Sequence, residues 1–535
     1  MVTREYDGLA GAGGVKDVCR QLAETLVERG GCSVRVILPR YGFMDAKAFG
    51  FTPLHLPAGR RKATRPDPLS TIFYVDMNYP DEERREAVSI WEHRIKGVHV
   101  LLVEAERFAE KLGVYTYTTE EEEKKSWQIQ GSGHFDYFAM NILLQKTALD
   151  LMILIDEHPD VIHCQDGHAA TLPAMMRENS SYRHYFRESG AVVTVHNAGK
   201  GYHQELEDLA FAHAVTGLPE HVIRLGRLSK CFDPFVASAG YAVLNTVSEN
   251  YAHELQGTRE DARTGWLGHR LLRRGVKLAG ITNGINPHDF DPLQPEKLGL
   301  AAAFDPLNGE LNGKRICKET LLRYLGSKQQ KTRVEQYGRP ATECDLPLFT
   351  FIGRLTAQKG VDILLRSLGL LLDENADFQL LILGSGDPVL EKKLQLLTEM
   401  KETAGRLCFL KGYDPDLANK IYAAGDFFLI PSLYEPCGLT DYIAQLFGNL
   451  PIVHYVGGLV KVIDEETGFA YTEHTPVALA EAMERALATY RLQPENIPAM
   501  QKAAVKRIHE HHTWEKVMND YFALYEQALE MTFQG

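Results

Sequence analysis

The sequence predicts an α/β protein made of two successive halves, and three observations carry that expectation. Short β-branched runs alternate with helix-like stretches, the pattern of parallel sheets covered by helices. The runs fall into two series separated by a polar, charged stretch. Residue types capable of chemistry cluster just past the runs, where open α/β sheets bind their ligands.

The first series comprises "SVRVILP" (Ser33 to Pro39), "STIFYVDM" (Ser70 to Met77), "VHVLLVE" (Val98 to Glu104), "DVIHCQD" (Asp160 to Asp166), "AVVTVHN" (Ala191 to Asn197) and "LNTVS" (Leu244 to Ser248), ending near "KLAGITNGI". The stretch "NGELNGKRICKETLLRYLGSKQQKTRVEQYGRPATECD" reads as a connection with one or two helices. The second series is "LPLFTFIGR" (Leu346 to Arg354), "FQLLILGSG" (Phe378 to Gly386), "RLCFLKGY" (Arg406 to Tyr413), "DFFLIPS" (Asp426 to Ser432) and "LPIVHYVGG" (Leu450 to Gly458). From about Pro476 onward the pattern is helical without a strand. The expected division is a first domain over 1–290, a connection over 291–345, a second domain over 346–510 and a C-terminal helix over 511–535. No repeat at a solenoid period is visible.

Composition removes several classes. A chain of 535 residues, 44% hydrophobic and 24% charged, has room for two or more cores. A formal net charge of -13 argues against a general nucleic-acid partner and makes any anion site local. The eight cysteines contain no C-x-x-C pair, so neither a zinc site nor a disulfide framework is indicated and a reducing cytoplasm fits. No run of about 18 apolar residues and no basic-then-apolar leader is present, so no membrane partner is expected. Oligomeric state is left open.

Candidate chemistry begins at "GLAGAGGVKDV" (Gly8 to Val18), with four glycines in the seven positions 8–14. Such a turn brings backbone N–H groups close to a phosphate or sugar. It fails the dinucleotide fingerprint because Lys16 stands where a third glycine is required, and a plain helix-starting turn accounts for it equally well. Asp166 and His168, His196 and Asn197, Arg354 and Glu435 all lie just past strands; a structural hydrogen-bonding role is the competing reading for each. "GRLTAQKG" sets Arg354 and Lys359 five residues apart across a strand-to-helix turn, able to converge on one anion or to sit on a solvated helix start. "SLYEPCGLT" places Glu435 at a strand-to-helix corner, and "VGGL" (Val456 to Leu459) offers N–H groups suited to phosphate oxygens.

Together and in this order these motifs resemble bacterial glycogen synthases and plant starch synthases, nearly end to end. That family carries "KTGGLADV", "HxHDWH", "HN", "NGID", "RLTxQKG", "LGSGDP", "GYDE", "EPCGLTQ" and "TGGL"; this sequence carries "GAGGVKDV", "HCQDGH", "HN", "NGIN", "RLTAQKG", "LGSGDP", "GYDP", "EPCGLTD" and "VGGL". The resemblance implies two Rossmann-like domains facing each other across a donor-binding cleft, the GT-B type, which close around substrate by hinge motion. It implies a hexosyltransferase moving glucose from ADP-glucose to the non-reducing end of an α-1,4-glucan with retention, without cofactor or metal. Same-face attack, with the departing phosphate helping to remove the acceptor proton, is the expected course.

Carried over by resemblance, Arg354 and Lys359 neutralise the diphosphate as the bond to glucose breaks. Glu435 stands beside the donor glucose with the Cys437 and Gly438 amides at its hydroxyls, and Leu439 and Thr440 complete that motif. Gly457, Gly458 and Leu459 add backbone donors, Gly13, Gly14 and Asn283 approach the donor, and His196 closes over the sugar. Asp166 faces the acceptor, and Tyr413 either stacks on the base or is a buried strand-end tyrosine.

Departures from the family include Gly11 for lysine, Gly167 for tryptophan, Asp441 for glutamine and Val456 for threonine. "MVTREY" matches only the end of the family's first strand. Lys200, in "HNAGKGYH", is the candidate for a substitute cation; Lys16 is expected to face solvent. Two rivals stand beside this reading. One is a related retaining transferase using a UDP- or GDP-sugar, which Ile443 argues against because such enzymes carry a glutamate there. The other is a weakened glucan-binding or regulatory homologue, which Gly11 and Gly167 support.

Overall fold

The computed structural model describes residues 1–56, 71–327, 333–373 and 376–533. Ser70 of the second expected strand, 328–332 of the expected connection and 534–535 of the expected last helix lie outside the described residues. The chain divides into two compact units, Met1–Asn283 with Val517–Gly535, and Gly284–Lys516.

The first unit contains β1 (Arg35–Pro39), β2 (Thr52–Pro53), β3 (Ile72–Asp76), β4 (Arg85–Ile95), β5 (Val98–Glu104), β6 (Val161–Gln165), β7 (Gly190–Val195), a hairpin of β8 (Arg227–Leu228) and β9 (Cys231–Phe232), β10 (Val243–Thr246) and β11 (Ala279–Gly280). β5 and β1 pair in parallel, as do β6, β7, β10 and β11 in that order. Val2 bridges Ile37 of β1 and Cys164 of β6, both in parallel. The "MVTREY" segment therefore fuses the two groups of strands into one sheet. β7 is buried along its whole length, as a strand covered on both faces must be, and so its sequence is apolar but for Thr194, whose hydroxyl is hydrogen-bonded to His163 and Asn245.

β4 is absent from the sequence expectation. It runs antiparallel to β5 and β3, and only Val88 and Ile90 along it are buried, so its mixed charged sequence carries no strand-like block. The helix Tyr137–Leu154 has the length and apolar character to cross a membrane, but 72% of it is buried in this unit, and it carries Asn141, Gln145, Lys146 and Asp150.

The second unit contains β12 (Glu335–Tyr337), β13 (Leu348–Ile352), β14 (Gln379–Gly384), β15 (Leu407–Lys411), β16 (Phe427–Ile430), β17 (Leu450–His454) and β18 (Phe469–Tyr471) in one sheet, ordered β12-β15-β14-β13-β16-β17-β18. Only β12 is antiparallel to its neighbour. From β13 the chain winds one way through β14 and β15, then returns to β16 and winds the other way through β17 and β18. The order reverses between β13 and β16, the place where such sheets open a crevice at their carboxyl ends.

The unit boundary falls at Asn283 and Gly284 rather than at 290, and the stretch expected as a connection is built into the second unit. The helix Asn312–Gly326 packs on Pro415–Ala424, and its buried lysines are fully engaged. Lys318 Nζ pairs with Asp426 at 2.6 Å, while Lys314 Nζ donates to the carbonyls of Ala423 and Phe447 at 2.9 and 3.0 Å. Its polar composition, read as a linker, thus serves buried polar contacts. The last helix, Trp514–Phe533, leaves the second unit and covers the first. The hydroxyl of Tyr525 meets His163 Nδ1 at 3.0 Å, and Ala528 lies against Gly190.

Candidate active site

At the reversal point of the second unit, three loops converge. Leu433 N–H, past β16, donates to Gln358 O, past β13, at 2.8 Å. Lys359 Nζ donates to Glu435 Oε2 at 2.6 Å, and Ser432 Oγ donates to the same oxygen at 2.9 Å. Burial alone raises the Glu435 pKa, but Lys359, Ser432 and Lys461 outweigh it and hold the carboxyl below its ordinary range. Glu435 is therefore ionised at neutral pH. Arg354 is exposed at the end of β13, five residues before Lys359, and Tyr413, past β15, is 69% exposed, which removes its reading as a buried strand-end residue.

The glycines of "VGGL" work differently from the expectation. Gly458 N–H donates to Glu435 O at 3.0 Å and Leu459 N–H to Val456 O at 2.9 Å, so neither offers a backbone donor to phosphate. A Cβ on Gly457 would strike Glu435 O, and one on Gly458 would strike the Cys437 backbone. The pair is glycine because two loop backbones touch there. Lys461 fastens the same junction: its Nζ donates to Cys437 O at 2.5 Å, Gly438 O at 2.9 Å and Gly458 O at 3.1 Å. It also pairs with Asp441 at 3.1 Å and lies 4.4 Å above the Tyr442 ring. Burial raises Asp441 to about 6, against the pull of Lys461. Leu439 caps the helix Thr440–Leu446 that follows.

In the first unit, Asp166 ends the β6 segment in a left-handed conformation, φ 58°. Burial raises its pKa to about 7 although backbone N–H groups of Asn197, His196 and Gly167 oppose the shift. Its Oδ1 is buried without a hydrogen-bond partner. His196, past β7, shares a 2.8 Å hydrogen bond between Nε2 and Gln165 Oε1, and burial lowers it to about 4, so it is neutral. His168 Nε2 accepts from Arg4 N–H at 3.0 Å, a structural role. Asn283 is buried as the last residue of this unit, its Oδ1 without a partner.

The loop after His196 explains a departure. A Cβ on Gly167 would collide with the backbone of Tyr202 and His203, so that loop fills the space a larger residue would need. His203 locks it, meeting Asp233 Oδ2 and Ala198 O at 2.7 Å each. Burial works against its charge, but Asp233 and the Ala198 carbonyl raise it to about 9. Lys200, in the same loop, is exposed.

The glycine-rich turn is capped from within. Glu5 Oε2 accepts from Ala12 N–H at 2.7 Å and Gly13 N–H at 3.1 Å, while Tyr115 donates to Oε1 at 2.7 Å. Gly13 therefore does not present its N–H to a ligand, and Gly14 precedes the helix Val15–Glu28 as its N-cap. Lys16 is half-buried rather than free in solvent. It folds over Gly11, where any Cβ would meet its side chain, and its ammonium pairs with Asp7 at 2.8 Å and Asp17 at 3.0 Å. Among the described residues no cluster of three or more His, Cys, Asp or Glu could hold a metal.

Residues 1–269 match the model of the starch synthase catalytic domain. The chain belongs to this starch synthase family. Residues 346–489 also match glycosyl transferases group 1. The protein is 30% identical over 543 residues to a glycogen synthase of Aeromonas salmonicida (strain A449), covering 99% of this chain and 98% of that one. It is 30% identical over 546 residues to glycogen synthase 1 of Geobacter metallireducens, covering 99% and 95%. Among solved structures, the catalytic domain of starch synthase IV from Arabidopsis thaliana, bound to ADP and acarbose, superposes with a TM-score of 0.78 at 24% identity over 99% of this chain and 98% of that one. This starch synthase family member is thus a hexosyltransferase with the two-domain GT-B fold. Glu5, Gln165, Ser432 and Lys461 were invisible to sequence reasoning. The nearest signal was at Lys461, a cation two residues past the "VGGL" motif, whose own Val456 departs from the family.

Proposed function

We propose that the protein transfers glucose from ADP-glucose to the 4-hydroxyl at the non-reducing end of an α-1,4-glucan, retaining configuration. The observation that supports this most is the Lys359–Glu435–Ser432 cluster at the strand-order reversal. Lys359 is held beside Glu435 at the cost of partly burying both. A diphosphate arriving next to Arg354 shares the Lys359 ammonium with Glu435, and that sharing strengthens as negative charge builds on the leaving phosphate. Such contacts act mainly on the transition state. Neutral His196 offers a hydrogen bond to a sugar hydroxyl without adding charge. Asp166, with an unsatisfied buried oxygen and a pKa near neutrality, suits the acceptor hydroxyl.

The test is glucose incorporation into glycogen with ADP-glucose and UDP-glucose side by side. ADP-glucose is expected to be the better donor. Lys359→Ala is expected to lower kcat by roughly two to three orders of magnitude, the scale of losing one preorganised charge-stabilising donor, and Glu435→Ala to remove most turnover while thermal stability is kept. No incorporation from either donor by a folded, glucan-binding protein establishes the regulatory reading, which the internally capped glycine turn favours.

A further inference from the structure

The first unit carries a second feature, lined by none of the residues assigned to transfer. The helix Glu220–Leu225, the β8–β9 hairpin and the helix Leu267–Arg273 surround an open depression of about 540 Å3. Arg224, Arg227, Arg270 and Arg273 line it, together with Ser229 and Trp266. None of these four guanidinium groups pairs with a carboxylate among the described residues. Arg227 Nη2 reaches only the Ser229 carbonyl, at a long 3.4 Å. The Nε atoms of Arg227 and Arg270 are buried with no hydrogen-bond partner at all. Neighbouring Arg274 differs, since it donates to the carbonyls of Leu225 and Val236 at 2.8 and 2.9 Å and so ties the wall together.

Four like charges and two unmet donors in one depression are costly to the protein alone. In a chain of net charge -13, the concentration of cations is local. Trp266 adds strain: its φ of 70° is left-handed, unfavourable for a bulky residue. The conformation is held from behind. Trp266 N–H donates to Asp261 O at 3.0 Å, and the buried Asp261 carboxylate accepts from Thr264 Oγ1, Gly268 N–H and His269 N–H at 2.6 to 3.0 Å. The indole stays 43% exposed, edge-on to His269, so the loop presents a flat aromatic face beside the cations.

We propose that this depression binds a phosphoryl group, with the arginine forks taking the phosphate oxygens and Trp266 supporting the carbon skeleton that bears them. Guanidinium groups match phosphate in charge and geometry. The volume suits a small ligand and not a polymer, and the chain's net negative charge opposes a long polyanion. The chemistry is shared by orthophosphate and by a phosphorylated sugar.

Isothermal titration of the full chain with orthophosphate, glucose 6-phosphate and glucose, at fixed ionic strength, tests this. Glucose 6-phosphate or orthophosphate is expected to bind, and glucose is not. The Arg227→Ala/Arg270→Ala double variant and the exposed Arg273→Glu are each expected to weaken binding about tenfold or more, the scale of losing charged hydrogen bonds, with glucosyl transfer unchanged. Trp266→Ala weakening glucose 6-phosphate alone assigns the site to a phosphorylated sugar; equal affinities for the two phosphates assign it to free phosphate. Lys359→Ala controls for phosphate at the donor loops. Binding that is lost in Lys359→Ala but kept in the arginine variants overturns the proposal. So does absence of binding by either phosphate up to about 10 mM.

Discussion

Asp166 combines a left-handed backbone, a buried carboxyl and one unsatisfied oxygen, each a cost to folding. Its folded pKa of about 7 lies above the ordinary carboxyl value of 3.8, so the native state holds a proton that the unfolded state releases, and stability falls as pH rises from about 4 to about 7. Asp166→Asn keeps the shape and tolerates φ 58° while removing the buried charge. It is expected to stabilise the protein at pH 8 more than at pH 5, by on the order of 2 kcal/mol in the difference, with a correspondingly larger rise in Tm, and to lower glucan transfer. Thermal melts at the two pH values, with parallel kinetics, check both halves. Gly11 poses a second question at this scale. Its backbone is outside the left-handed region, so Gly11→Lys is conformationally allowed provided Lys16 moves aside. Lys16 brings no spare charge, being shared by Asp7 and Asp17. The exposed Lys200 is the candidate cation that we propose compensates. Lys200→Ala is expected to cut turnover about tenfold, as for one lost charge contact, and Gly11→Lys to restore part of it, both read by steady-state kinetics with ADP-glucose.

At the scale of elements, the loop 197–203 is pinned by His203 and Asp233. A folded His203 pKa of about 9 against 6.5 gives stabilisation that is complete below about pH 6.5 and lost as pH rises through about 9. His203→Gln is expected to cost on the order of 2 kcal/mol at pH 6 and much less at pH 9.5, measurable by urea unfolding. The same elements show where sequence was informative. Asp166, His196, Arg354, Lys359 and Glu435 were legible because strand ends in a parallel sheet are where such side chains gather. The use made of glycine was not. In "VGGL" and at Gly167 the missing Cβ admits another backbone strand, a requirement set by a loop distant in sequence. Likewise, capping of the glycine turn by Glu5 depends on a side chain bending forward seven residues, for which no periodicity exists. β4 was illegible because it buries too little to carry an apolar pattern.

For the whole molecule, chain order and spatial order disagree. Residues 517–535 belong to the first unit although the entire second unit precedes them. Truncation after Lys516 is expected to expose the face of β6 and β7 beneath Tyr521, Tyr525 and Ala528. Hydrogen exchange followed by mass spectrometry should show lost protection in β6 and β7 and preserved protection in β13 to β17. Equal loss in both units would contradict the division.

Val2 wedged between β1 and β6, with the last helix laid over the same sheet, has a consequence for how the molecule is made. The second unit is one continuous segment, Gly284–Lys516, whose pairings can close as soon as it is available. The first waits for a helix synthesised after all of them. Loop closure over so long a separation is entropically slow, so during synthesis the later-encoded half finishes first, and the earlier half spends that interval with its β6–β7 face uncovered and in need of protection from aggregation.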